Sequence, residues 1–196
     1  MRIEPITRSA FILRSGLAVA GAYGAAAVGP FVGRALAQGS DAEILQFALT
    51  LEFLEAEFYI RALDELDLQG DAAELTEELR DNESQHVETL SALIEKLGGT
   101  PVEKPRFDFA DAYATDEDYL RQANILEDTG VSAYNGAGPL VQDPDVLAAA
   151  GSIVQVEARH AALVRLLRDK PPAPNPFDVS STEKEVREAV APFIVS

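Results

Sequence analysis

From residue 41 onward the apolar positions recur every three to four residues in four long stretches, the spacing of helices that bury one face. The first stretch covers 41–66 behind Ser40-Asp41-Ala42-Glu43, which reads as a capping box, and its stripe is Leu45, Leu49, Glu52, Ala56, Tyr59, Leu63. Gly70 marks a turn and Asp71 reads as the cap of the second stretch. That stretch carries Leu75, Leu79, Glu83, His86, Leu90, Ile94 and Leu97 before Gly98-Gly99-Thr100-Pro101 stops it. About fifteen residues without helical period follow, long for a bundle loop. Thr115 with Asp118 opens the third stretch, whose stripe is Leu120, Ala123, Glu127, Val131, Tyr134, Ala137, and Gly138-Pro139 ends it. Asp143-Pro144, an N-cap followed by proline at the first helical position, opens the fourth, which runs to Arg168 with Leu147, Ala150, Val154, Glu157, His160, Val164 and Leu167 on one face. No segment alternates as a strand does. The pattern predicts an all-α four-helix bundle over 38–169, with short links within each helix pair and one long connection crossing the bundle.

Two segments flank this bundle. Residues 1–37 place Arg2, Arg8 and Arg14 ahead of an Ala-, Gly- and Val-rich run and close on Ala35-Leu36-Ala37, the layout of a cleavable export signal. Thr7-Arg8-Ser9-Ala10-Phe11-Ile12 looks like a twin-arginine motif with Ser9 in place of the second arginine, so the general and the twin-arginine routes both stay open. The alternative is a membrane anchor, but the run is short and glycine-rich for a span, which favours the signal. The expectation is a periplasmic or extracellular protein with no stable membrane insertion after processing. Beyond residue 170 a proline-rich tail leads into an amphipathic segment over 181–190 and an apolar end, expected to pack on the bundle or on a second chain.

Each of the four stripes is interrupted near its middle by a glutamate: Glu52, Glu83, Glu127 and Glu157. Four buried, unpaired carboxylates would each cost several kcal/mol, on the order expected for desolvating a charge. Two divalent cations would offset them, since four carboxylates, two neutral imidazoles and two M²⁺ sum to zero charge. The two histidines of the chain fit that arrangement. Both follow a stripe glutamate by three residues, in Glu83-Ser84-Gln85-His86 and Glu157-Ala158-Arg159-His160. Residues three apart share a helix face, so a carboxylate and an imidazole can reach one site together. Oxygen and nitrogen donors in that mixture suit iron or manganese better than calcium. The halves also repeat: Leu51-Glu52 precedes Tyr59 as Leu126-Glu127 precedes Tyr134, and each pair is followed by its Glu-x-x-His.

With these motifs in place, the chain resembles the ferritin-like superfamily. Its Leu51-Glu52-Phe53-Leu54-Glu55-Ala56-Glu57-Phe58-Tyr59 run is similar to the exported ferritin-like domain family. The resemblance covers about residues 41 to 169 and implies a ferritin-like four-helix bundle around two iron or two manganese ions. Position by position it implies Glu52 and Glu127 as terminal carboxylates, Glu83 and Glu157 as bridges, and His86 and His160 as terminal nitrogen ligands. Tyr59 and Tyr134 are either hydrogen-bond partners of those ligands or core tyrosines. Glu55, one turn from Glu52, is expected to flank the site, and Glu57, Glu77, Glu78 and Glu88 to be solvated.

Composition narrows the chemistry. The net charge is −17; without residues 1–37, which hold four of the 16 basic and one of the 33 acidic residues, it would be −20. Such a balance argues against nucleic acid, which is bound through clustered Lys and Arg. With no Cys, there is no thiolate for an iron–sulfur or rubredoxin-like centre, and the single Met is the initiator, which leaves no Met to ligate haem. The expected activity is Fe(II) oxidation or peroxide removal, with O2 or H2O2 as the small-molecule substrate. The alternative is a metal-stabilised structural or stress-protective bundle without turnover. A homo-oligomer is compatible with either.

Overall fold

The structure is a computed structural model that describes residues 41–195. The expected export signal and the Ser40 cap lie outside the described residues. Four long helices, α1 (Asp41–Glu65), α2 (Asp71–Lys96), α3 (Asp116–Ala137) and α4 (Pro144–Leu167), make the bundle, and α5 (Glu183–Val190) lies in the tail.

Local chemistry explains most helix starts. The Thr115 side chain accepts from the Asp118 amide, and three acidic residues in the first turn of α3 face its positive end. Asp143 accepts from the amides of Asp145 and Val146 ahead of Pro144. At α2 the expectation needs correcting. Asp71 is the first helical residue rather than the cap, and the cap position belongs to Gly70, whose φ of 59° suits a residue without a side chain. Two stripe positions also differ. Leu97 falls just past the end of α2 and is 41% exposed, while Leu147 is 46% exposed because Val146 takes the inward place in the first turn of α4.

Helices α1 and α2 pack as one hairpin and α3 and α4 as the other. Across the hairpins Tyr59 meets Glu127 while Tyr134 meets Glu52, so α1 and α3 run antiparallel. Glu83 meets His160 while His86 meets Glu157, so α2 and α4 are antiparallel too. It follows that α2 and α3 are parallel, and residues 97–115 must travel the length of the bundle to join them. Gln46 near the start of α1 binds Thr100 and Val102 of this crossover, Glu57 pairs with Lys104, and the Tyr113 hydroxyl reaches the Phe58 carbonyl near the far end.

The crossover holds a short strand that the sequence pattern did not announce. Strand β1 (Arg106–Phe107) pairs antiparallel with β2 (Ile194–Val195) of the tail. Two residues a side are too few for alternation to register. The tail is fastened elsewhere as well: Thr182 and Glu185 form a capping box on α5, Val186 and Val190 are buried, and the Arg187 guanidinium sits 4.4 Å over the Phe47 ring.

Two apolar clusters fill the bundle. One gathers Leu45, Leu49, Leu90, Ile94 and Ile153; the other gathers Leu54, Phe58, Tyr59, Leu79, Tyr119, Leu126 and Val164. The mid-helix glutamates and the histidines lie between the two clusters on every helix. Among the described residues, no helix is long and apolar enough to cross a membrane.

Candidate metal centre

All six predicted positions come together. Glu52, Glu83, Glu127 and Glu157 are fully buried, His86 and His160 are buried, and each helix supplies its share from mid-length. The donor atoms fall into two overlapping groups, Glu52 with Glu83, His86 and Glu157, and Glu127 with Glu83, Glu157 and His160; within each group they lie within 4.8 Å of one another. Glu83 and Glu157 belong to both groups, so each can offer an oxygen to either side. Nδ1 of His86 is 2.9 Å from Glu83, 3.0 Å from Glu157 and 3.2 Å from Glu52. Nδ1 of His160 is 2.9 Å from Glu83 and 3.4 Å from Glu127.

Apart from the bond between Nδ1 of His86 and Oε2 of Glu83, these atoms approach one another without satisfying one another. Oε2 of Glu52, Oε1 of Glu83, Oε2 of Glu127, both carboxylate oxygens of Glu157 and Nδ1 of His160 are buried with no hydrogen-bond partner. Among the described residues only one other buried side-chain polar atom, Nε2 of Gln122, is in that position. Among the described residues no Lys or Arg nitrogen pairs with any of the four carboxylates, and their only ion-pair contacts are with the histidines. A buried polar atom left unpaired costs about 1–3 kcal/mol, and native proteins leave few of them. Lone pairs converging from several sides on a small volume, with only two imidazole rings among them to donate, are what a cation site presents. The donor set therefore fits metal ions held by oxygen and nitrogen.

The electrostatics agree. Burial raises the Glu52 carboxyl to about 8 and lifts Glu157 well above the usual carboxylate range, where the neighbouring glutamates add to the effect. Burial lowers the histidines, but the surrounding carboxylates outweigh it and bring His86 up to about 12 and His160 up to about 10. Burial also raises Glu83, yet the close approach of both imidazoles overrides it and holds Glu83 below its ordinary value. These directions favour protonated groups wherever no cation offsets the carboxylates.

Two tyrosines tie the halves together. The Tyr59 hydroxyl donates to Oε1 of Glu127, and the Tyr134 hydroxyl donates to Oε1 of Glu52. Each tyrosine serves the glutamate of the opposite hairpin, and in each case Oε2 is left to face the centre.

Three other residues bear on the site. Glu55 flanks the six, outside both donor groups, yet is only 3% exposed and is held well above the carboxylate range by burial and by Glu157. Opposite it is Gly130. A Cβ there would lie 3.1 Å from both Oε1 of Glu55 and Oε2 of Glu157, so the missing side chain leaves room for two carboxylates on one side. Asn82 places its amide 3.1 Å from Nε2 of His160. Sequence reasoning left Asn82 out; its place one turn before His86, beside Glu83, was the available signal. Of the other glutamates, Glu77, Glu78 and Glu88 are exposed as expected, while Glu57 is partly covered and bonds Arg61 and Lys104.

The ferritin-like domain model matches residues 40–170, which is the whole bundle. The chain belongs to the ferritin-like domain family. Within this family setting, it is also similar to the desiccation-related protein PCC13-62 of Craterostigma plantagineum, with 26% identity over 165 residues. That match takes in 65% of this chain and 53% of the plant protein, so the chain spans about half the length of its relative. The ferritin-like fold and the buried Glu and His groups together are compatible with metal binding.

Proposed function

We propose that this ferritin-like protein is an exported metalloprotein holding two iron or two manganese ions, and that it oxidises Fe(II) or removes peroxide. The observation that carries the reading is the pair of donor groups sharing Glu83 and Glu157, buried, among the described residues, without any Lys or Arg to balance them. When bound, two such ions would supply paired one-electron chemistry for O2 or H2O2. The chain's own contribution is positional. Tyr59 and Tyr134 hold the terminal carboxylates through one oxygen each, and the two apolar clusters on either side keep bulk water from the centre.

The deciding experiment loads the purified chain anaerobically with Fe(II) and, separately, Mn(II), desalts it and measures metal per chain, followed by oxygen-uptake and peroxide-decay assays. About two ions per chain with turnover would support the reading. Folded protein holding less than about a tenth of an ion per chain would overturn it.

A second reading is a metal-stabilised protective bundle without turnover, in which binding contributes only folding energy. The similarity to a desiccation-related protein favours it. Two ions per chain with neither oxygen nor peroxide consumption would select this reading.

A further inference from the structure

The two halves of the centre differ in two places: at Glu55, whose counterpart three residues after Glu127 is Gly130, and behind the histidines. Asn82, immediately before Glu83 on α2, reaches Nε2 of His160 on α4 at 3.1 Å. The matching position, immediately before Glu157 on α4, is Val156, which has no polar side-chain atom to offer His86. Among the described residues the only hydrogen bond of the His86 ring is made by Nδ1, to Glu83. The ring instead borders a cleft of about 280 Å³ between α2 and α4, lined also by Asn82, Gln85, Thr89, Ser152 and Val156; His160 is not among its lining residues. The exposures follow: 10% for the His86 side chain against 3% for that of His160.

This difference matters for a cation. An imidazole that binds through Nδ1 keeps its hydrogen on Nε2. An acceptor for that hydrogen fixes the tautomer, orients the ring and makes it a more basic ligand; losing such a partner typically costs 10–100-fold in metal affinity. Asn82 presents its amide nitrogen to Nε2 of His160, and turning the amide end for end would offer the side-chain oxygen as that acceptor. His86 faces the open cleft.

We propose that the two cation positions are unequal and that Asn82 is the positioning residue that makes them so. The position of His160 and Glu127 fills first and holds its ion. The position of His86 and Glu52 fills second and exchanges through the α2–α4 cleft. The proposal rests on the two-metal reading given above and adds an order of filling and a route of entry.

Calorimetric titration of the metal-free chain with Mn(II) under anaerobic conditions tests it. Two binding steps at least about tenfold apart are expected for the native sequence. Asn82→Val should weaken the tight step towards the weak one, and Asn82→Asp, which keeps an acceptor, should preserve the separation. Val156→Asn should do the reverse of Asn82→Val and tighten the weak step by a similar factor, a gain that a merely structural role for Asn82 would not produce. If Asn82→Val does not fold, Val156→Asn decides. Two equal sites in the native chain, or two steps that neither substitution moves, would overturn the proposal and leave the two-metal reading intact. No Mn(II) uptake at all would remove both.

Discussion

The hydroxyl of Tyr59 donates to Glu127, 68 residues further along the chain, rather than to Glu52 on its own helix. Tyr134 returns the favour to Glu52. The crossing follows from two facts. Each tyrosine lies seven residues after its glutamate, and α1 and α3 are antiparallel, so the offset on one helix cancels the offset on the other. A repeat visible along the sequence thereby becomes a reciprocal lock between the two hairpins.

Removing one hydroxyl should therefore weaken the far half of the centre. Tyr59→Phe leaves Oε1 of Glu127 buried without its donor, and Tyr134→Phe does the same to Glu52. Each should lower metal affinity about 10–100-fold, as loss of a ligand's supporting partner generally does. Metal titration of the two variants checks this; unchanged affinity in both would make the tyrosines core residues and nothing more.

The glutamates offer an internal control. Glu83→Ala removes a carboxylate common to both donor groups and should abolish retention of two ions. Glu57→Ala breaks contacts with Arg61 and Lys104 near the surface and should keep full metal content, with a stability loss of at most about 1 kcal/mol. Metal analysis after desalting separates the two, and equal losses would reject the assignment of Glu83.

The six converging residues were legible in sequence because helix geometry puts a glutamate on each apolar stripe, with a histidine one turn beyond two of them, and the ferritin-like resemblance implied that the four stripes meet. The caps at Thr115 and Asp143 were legible for the same reason, being local. The reciprocal tyrosine bonds were not, since they depend on helix direction, which periodicity does not carry. Glu55 could be placed one turn from Glu52 but not measured for burial, because the room it occupies is set by Gly130 on another helix. The β1–β2 pair escaped for lack of length, and Asn82 because its partner, His160, is 78 residues away.

The titration behaviour of the metal-free protein gives a prediction of definite sign. The folded Glu52 carboxyl, at about 8, lies above its ordinary 4.5, so the folded state binds more protons than the unfolded one between those values. His86 at about 12 and His160 at about 10 lie above their ordinary 6.5, so the folded state again holds the extra protons. Both effects make stability fall as pH rises, by at most about 1.4 kcal/mol per unit for each group titrating. Glu83, held below 4.5, contributes in the opposite sense, losing stability only at acid pH below that value. Denaturant unfolding of EDTA-treated protein should thus show higher stability at pH 5 than at pH 9. Cations displace these protons, so metal binding should release protons and the stabilisation by metal should grow with pH. A flat profile for the metal-free protein would remove the proton-for-cation exchange.

The tail can be tested apart from the centre. At Gly136 on α3 the backbone of the tail passes so close that an added Cβ would lie 1.8 Å from the Ser181 carbonyl oxygen. The contact is held by a bond from the Ser181 amide to the Ser132 carbonyl and another from the Asn135 side chain to the Val179 carbonyl. Backbone is on both sides, so no side chain can swing away, and Gly136→Ala must push the tail off α3. That would disturb the seating of Val186 and Val190 and the Arg187 contact with Phe47. Overpacking of this kind costs about 1–3 kcal/mol, and for a domain of this size each kcal/mol corresponds to roughly 2–4 °C in Tm. Metal content should stay the same, because the tail is held at Ser132, Asn135 and Phe47, none of which is one of the six donor residues. The expected result is a lower Tm, faster proteolysis beyond residue 170 and undiminished metal per chain; a Tm and cleavage rate equal to those of the native sequence would mean that the tail is not seated on α3 in solution.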